Sequence, residues 1–260
     1  MTYNVHNFNK ADSPGHISAH KAILNLINSN QPDIIGFEEF NSKNKVFRMC
    51  DSLKKTMNTD QFYFKPFIKT QFDSTGLALF SKYPIINRGV IRLSNNRDEN
   101  QAIYIDVKCK SRMIRVYAFH LQSLRLNEED LNFGSFLMRS FSNPHRTKEL
   151  FHKLKMGFVL REQQVNIIRQ HAAKCLYPYV LMGDFNDTPG SYAFNRMSTG
   201  MKNAFREKGT GIGKTFNGGF ASSQIDYILL SEQFSVLHYQ IIHKEISDHY
   251  PVFGDVILTH

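Results

Sequence analysis

The spacing of hydrophobic positions changes several times along the chain, and each change marks an element. MTYNV at the start has the character of a short strand. The stretch DSPGHISAHKAILNLINSNQPD follows a helical period, with Ile17, Leu24 and Ile27 on or near one face. Ser13 is placed to cap this helix, Pro14 suits its first turn, and Pro32 follows its end. DIIGFEEF then reads as a buried strand that finishes in carboxylates. NKVFRMCDSLKKTM predicts a second amphipathic helix through Val46, Met49, Cys50, Leu53 and Met57. FYFKPF, GLALFS, PIINRGVIRL, QAIYIDVKC and RMIRVYAFHL follow as short strands broken by turn residues. LREQQVNIIRQHAAKC predicts a third helix and leads into the strand YVLMG. A short helix near Ser191–Met197 precedes the final strands QIDYILL, FSVLHYQII and PVFGDVIL.

Helices and strands interleave from end to end, which predicts a layered α/β protein with mixed or antiparallel sheets in one domain over residues 1–260. A purely parallel sheet does not fit, because parallel neighbours need long crossovers and the strands of residues 62–120 have no helices between them. Residues 123–158 form a long polar, basic and aromatic insertion, with a short helix expected near Glu128–Phe141.

Composition adds a few limits. The 260 residues suffice for a substantial core. The net charge of +9 favours phosphate-rich partners such as nucleic acid, anionic lipid or phosphorylated small molecules, although many soluble proteins are basic without such a role. Cys50, Cys109 and Cys175 are odd in number and far apart, so buried free thiols are expected rather than disulfides or a zinc site. No stretch reads as a membrane span or a signal peptide. A strand at the very first residue is consistent with Met1 being internal to a longer parent, such as a membrane-anchored or exported protein whose N-terminal segment is removed.

Chemistry-bearing residues gather at strand ends: Asn4, Glu38 and Glu39, His120, Asp184 and Asn186, Asp226, and Asp248 with His249. Each alone has an ordinary explanation as a cap, a turn residue or a solvated charge. Their joint recurrence at strand termini points to one shared rim. Carboxylates and amides suit a hard divalent cation, and histidine with a carboxylate suits proton transfer to or from water. Walker and dinucleotide-binding loops are absent from the sequence.

Taken in order, the motifs TYNVHNF, QPDIIGFEEF, TGLALFSKYPI, FHLQS, GDFND, QIDYILLS and SDHYPV resemble those of the endonuclease/exonuclease/phosphatase superfamily across nearly the whole chain. The resemblance implies a four-layer α/β sandwich, two mixed β-sheets flanked by helices as in DNase I-like proteins. It implies Mg²⁺- or Mn²⁺-dependent hydrolysis of a phosphate ester, a phosphodiester first. The alternatives are phosphomonoesterase or sphingomyelinase activity, or a phosphate- or nucleic-acid-binding module without catalysis. Glu39 matches the metal ligand, with Asn4 beside it and Asp248 binding metal directly or through water. His249 matches the proton-transfer group, with Asp226 orienting it. Asp184 and Asn186 match the pair that positions water and phosphate. His120 matches the phosphate-contacting histidine of DNase I-like members, where abasic-site nucleases usually carry tyrosine. Glu38 departs from the usual glutamine and is expected to lie behind the site or to point outward. Asp187 caps the turn, and Arg161 either reaches a phosphate or serves a surface or structural ion pair. The aromatics Phe133, Phe136, Leu137, Met138 and Phe141 in the insertion form either a lid or lipid-facing patch, or a helix packed on the core. A monomer acting on a phosphate-ester substrate, with a membrane surface as one option, completes the expectation.

Overall fold

The computed structural model describes residues 1–8, 18–43, 49–70, 73–94, 100–124, 144–218 and 223–259. Its strands form two six-stranded sheets. The first holds β1 (Thr2–Asn4), β2 (Ile34–Lys43), β3 (Phe62–Lys69), β4 (Asp73–Ser81), β11 (Phe234–Ile241) and β12 (Val252–Leu258), in the order β11-β12-β1-β2-β4-β3. The second holds β5 (Ile85–Arg92), β6 (Gln101–Cys109), β7 (Arg112–His120), β8 (Tyr179–Asp184), β9 (Lys202–Asn203) and β10 (Asp226–Leu230), in the order β5-β6-β7-β8-β10-β9.

Strand alternation builds the layers. Leu77 and Leu79 face Ala118, Val180, Met182 and Ile228 between the sheets. Their neighbours Ala78 and Phe80 face outward, onto a cluster with Ile23, Leu26, Leu53 and Met57 from α1 (Ala19–Asn30) and α2 (Met49–Met57). On the other side Tyr117, Phe119 and Leu181 pack with Val165 and Ile168 of α3 (Pro144–Ala172) and Phe194 of α4 (Tyr192–Ser198). The two-residue period of a strand buries both faces of each sheet, and four layers result. Gly36 lets the sheets approach closely: a Cβ there would meet Met182 Cε at 2.9 Å. The expected four-layer sandwich is thus observed.

Several local expectations change. Ser18 caps α1, its hydroxyl accepting from Lys21 N, while the anticipated cap Ser13 and Pro14 lie outside the described residues. Gln31 ends α1 in a left-handed conformation, just before Pro32. The third helix starts at Pro144, not at Leu160, so it takes in residues 144–158 of the stretch read as an insertion. The short helix expected near Glu128–Phe141 falls outside the described residues. Pro66 lies in β3, an edge strand with a register shift beside it, where a missing donor is tolerated. The short elements β9 and α5 (Ala204–Lys208) were not anticipated. The thiols of Cys50, Cys109 and Cys175 are free but only half-buried.

The site follows from two parallel pairs. β1 runs parallel to β2, with Asn4 opposite Glu38. β7 runs parallel to β8, with His120 opposite Asp184. Parallel strands require crossovers, supplied by α1 and by the segment containing α3. Both central pairs therefore end at the same edge of the sandwich. β10 runs antiparallel to β8 and begins there, with Asp226 opposite Asp184. A cavity of about 700 Å³ opens instead among residues at the strands' other ends, including Ile34, Arg112, Val116 and Met182, and holds none of the rim residues.

Candidate active site

Two backbone irregularities aim the acidic residues. β2 pairs Phe37 with Ala78 and Phe40 with Gly76, so Glu38 and Glu39 together oppose one residue. This bulge returns Phe40 to the helix-side cluster that holds Phe37. Glu38 is turned inward and fully buried, whereas the Glu39 side chain stays 26% exposed at the rim. Glu39 has φ 49° and Asn186 has φ 51°, a left-handed conformation that costs energy in a residue with a Cβ. At Gly183 (φ 148°) a Cβ would lie 2.1 Å from Phe119 O, so glycine is required where β8 delivers Asp184.

Asp184 is the point of convergence. Asn4 Nδ2 donates to its Oδ2 at 3.0 Å, joining the two sheets, and Asn186 N donates to Oδ1 at 2.7 Å. His120 Nε2 stands 3.5 Å and His249 Nε2 3.7 Å from the same Oδ2. His120 Nε2 is also 3.8 Å from Glu39 Oε1. His249 Nδ1 faces both oxygens of Asp226, at 3.0 and 3.2 Å, and Phe216 covers the His249 ring at 4.9 Å. Asn186 Nδ2 donates to Leu121 O at 3.0 Å. The structure thus brings Asn4, Glu39, His120, Asp184, Asn186, Asp226 and His249 into one linked group.

Asp248 stands to one side. Its Oδ2 accepts from His6 Nδ1 at 2.7 Å and its Oδ1 from Ser247 at 3.0 Å. Burial pushes its carboxyl up, but the His6 bond and the charges of His249 and His6 more than offset this and leave it at about 2. The same bond to Asp248 raises His6. Burial alone would lower His249; the carboxylates of Asp226 and Asp184 outweigh it and raise the imidazole to about 10. Burial raises Asp226, opposed by His249 and Thr215. The two carboxylates thus favour the charged form of the His249 ring.

Glu38 lies behind the rim, and the outward alternative is excluded. Its Oε1 accepts from Thr2 at 2.7 Å, while Oε2 is buried without a partner among the described residues. Burial, aided by the charges of Asp226 and Asp184, raises its carboxyl well above the usual range. A neutral acid in this place has nearly the shape of the glutamine it replaces. A raised acid contributes its stability at low pH and loses it as pH rises past the unfolded value, here upward from about 4.5. Glu38→Gln should therefore raise Tm more at pH 8 than at pH 5, by about 2–4 °C for each kcal/mol regained. Thermal melts at the two pH values test this.

Arg161 corrects the idea of a phosphate contact. It is 1% exposed, its Nε donating to Asp187 Oδ2 and its Nη1 to Gln122 O, both at 2.9 Å. Burial depresses the guanidinium, and Asp187 opposes that shift. Arg161 is a strut that ties α3 to the loops after β7 and β8, and Asp187, expected only as a turn cap, is its partner.

Sequence reading missed a chain of polar groups behind Glu39. Asn41 Nδ2 donates to Thr75 Oγ1 at 3.2 Å, Thr75 Oγ1 to Asn7 Oδ1 at 2.9 Å, and Asn7 Nδ2 to Glu39 Oε2 at 3.2 Å. His6, Asn7 and Phe8 have φ 43°, 55° and 59°, so a left-handed turn delivers the Asn7 amide. The only signal in the sequence was the polar pair His6-Asn7 directly after β1.

Glu39 offers a carboxylate reachable from solvent, and Asn4, at the end of the neighbouring strand, an amide oxygen that also accepts from His6 N at 3.0 Å; both are the oxygen type a hard cation takes. Asp184, Asp226 and His249 also have ligand atoms within 4.8 Å of one another. That trio is the poorer cation site, because both imidazole nitrogens already face carboxylates and Asp226 is 1% exposed. Asn7→Gly keeps the left-handed backbone and removes the donor to Glu39. It should weaken Mg²⁺ or Mn²⁺ binding by about 10-fold in calorimetry, as loss of a supporting hydrogen bond does at metal sites.

The Exo_endo_phos model, described as the endonuclease/exonuclease/phosphatase family, matches residues 1–249. A search of curated protein sequences gives no match. Among solved structures, an endonuclease/exonuclease/phosphatase from Beutenbergia cavernae superposes with TM-score 0.72 at 18% identity, covering 99% of this chain and 70% of that one. A mannosyl-6-phosphatase from Bacteroides thetaiotaomicron gives 0.70 at 14%, covering 99% and 98%. D. rerio TDP2 complexed with a single-strand DNA product gives 0.68 at 11%, covering 98% and 97%. At these identities the likeness establishes the fold. With the family model spanning nearly the whole sequence, the chain belongs to the endonuclease/exonuclease/phosphatase family, a family of phosphoric ester hydrolases.

Proposed function

We propose that the protein hydrolyses a phosphate ester, a phosphodiester first, at the rim shared by its two sheets. The observation that carries this reading is the convergence of Asn4, His120 and His249 on one buried carboxylate oxygen of Asp184, 3.0 to 3.7 Å away. Glu39 and Asn4 would hold Mg²⁺ or Mn²⁺, which when bound offsets charge on the phosphoryl and leaving-group oxygens. Asp184 positions the attacking water and takes its proton. His249, charged through Asp226 and Asp184, donates to the phosphoryl oxygens as their charge grows. His120 offers a second donor beside it, and Asn186 positions the phosphate. This division of labour rests on the two carboxylates, Asp226 and Asp184, that favour the charged His249 ring.

A substrate panel tests the reading: plasmid and single-stranded DNA, RNA, sphingomyelin, and phosphorylated sugars, each with Mg²⁺, Mn²⁺ or chelator. Hydrolysis of at least one class, lost on chelation, is the expected result. Absence of hydrolysis on every class would refute it.

A further inference from the structure

Helix α3 outgrows the body of the protein on the side of the rim. Arg161 is level with the rim, since it donates to Gln122 O and to Asp187, just beyond the ends of β7 and β8. The helix runs from Ala172, packed on the second sheet, through Arg161 and on toward Pro144. At 1.5 Å per residue, the portion before Arg161 extends roughly 25 Å farther. Within it Phe151 is 64% exposed, Phe158 51%, Met156 43% and Val159 38%. Phe151 and Phe158 lie two turns apart on one face. Lys148 and Lys155 are exposed along the flank of that face, and Lys153 is exposed on another side of the helix. In residues 144–160 four Lys or Arg stand against one acid, Glu149, which faces His145 at 3.5 Å.

We propose that this half-helix docks the protein on an anionic membrane surface, with the catalytic rim on the membrane side. Large aromatics beside lysines suit the boundary between headgroups and acyl chains. There the rings enter the apolar layer, while lysine stems lie along it and their ammonium groups reach anionic headgroups. The charge of the segment, like the +9 of the chain, has the complementary sign. A nucleic acid backbone would satisfy the lysines but leave the phenylalanines in water. The proposal stands apart from the phosphoester reading, because docking is measured without turnover.

The test is sedimentation of the full chain with vesicles of phosphatidylcholine alone or with 30% phosphatidylserine, at about physiological ionic strength. Wild type should bind the mixed vesicles at least 10-fold more tightly than the neutral ones. The double variant Phe151→Ser, Phe158→Ser should lose at least 10-fold of that binding while its thermal melt and far-ultraviolet dichroism stay native. Lys148→Glu with Lys155→Glu, which leaves the aromatics in place, should lose the preference for phosphatidylserine. Failure to sediment with the mixed vesicles would overturn the proposal. So would equal binding to both vesicle types, or binding unchanged by the phenylalanine substitutions. Tighter binding to duplex DNA that depends on the same lysines but not on the phenylalanines would overturn it in favour of nucleic acid.

Discussion

Asp184→Asn should lower kcat by about 10⁴-fold, the upper end of what acid–base groups contribute, while Tm moves by only a few degrees. The side chain is 1% exposed and, among the described residues, is the carboxylate that meets Asn4 of the other sheet and both rim histidines. An amide of the same shape still fills the space, and its oxygen can still accept from Asn186 N. It cannot take a proton from water. It also removes a charge that holds the His249 proton, so two roles fail together. Steady-state kinetics with a parallel thermal melt measure both quantities. A loss below about 10-fold in a folded variant would remove Asp184 from the chemistry.

Asp226→Asn should cost about 10⁴-fold in kcat, the order of loss when the carboxylate that orients a catalytic histidine is neutralised. It has a second signature. The His249 imidazole stands at about 10 chiefly because the two carboxylates outweigh its burial, so removing one should bring it down toward the ordinary 6.5. Nuclear magnetic resonance titration of the metal-free protein reads this directly: the wild-type ring stays protonated through pH 8, and the variant titrates lower. The stability consequence has a fixed sign. A histidine raised on folding contributes stability below about 6.5 and loses it as pH climbs through 10, and the variant should lack that dependence. A wild-type ring that titrates near 6.5 would return the role of base to His249.

Much of this architecture was legible because strand and helix periods are local. Continuous apolar runs in YAFHL and VLMGD marked two buried central strands, and the polar residues that end them marked the rim. The bulge at Glu38 and Glu39 was not legible, because it arises from pairing with β4, and a strand read alone cannot show that two of its residues oppose one. That geometry decides which glutamate is buried behind the rim and which stays exposed at it. The support chain Asn41, Thr75, Asn7 was invisible for a related reason: its members are scattered polar residues joined only by the fold. The contact of Asp248 with His6, 242 positions away, was likewise not legible from either motif alone. Arg161 illustrates the converse case. The sequence left it as either a phosphate contact or an ion pair, and in the structure it faces the core and pairs with Asp187. The single span of α3 was obscured because exposed apolar residues, Phe151, Met156, Phe158 and Val159, lie off the stripe of Leu150, Leu154 and Gly157 and blur the amphipathic period that identifies a surface helix.

The central claim is that water attacks phosphorus at the Asp184 rim with a divalent cation present. Turnover of the best substrate in ¹⁸O-labelled water, followed by mass spectrometry of both products, tests it most directly. One ¹⁸O is expected in the phosphate-bearing product, none in the released alcohol, and no reaction after chelation until Mg²⁺ or Mn²⁺ is restored. Label in the alcohol, or a rate that survives chelation, would contradict it.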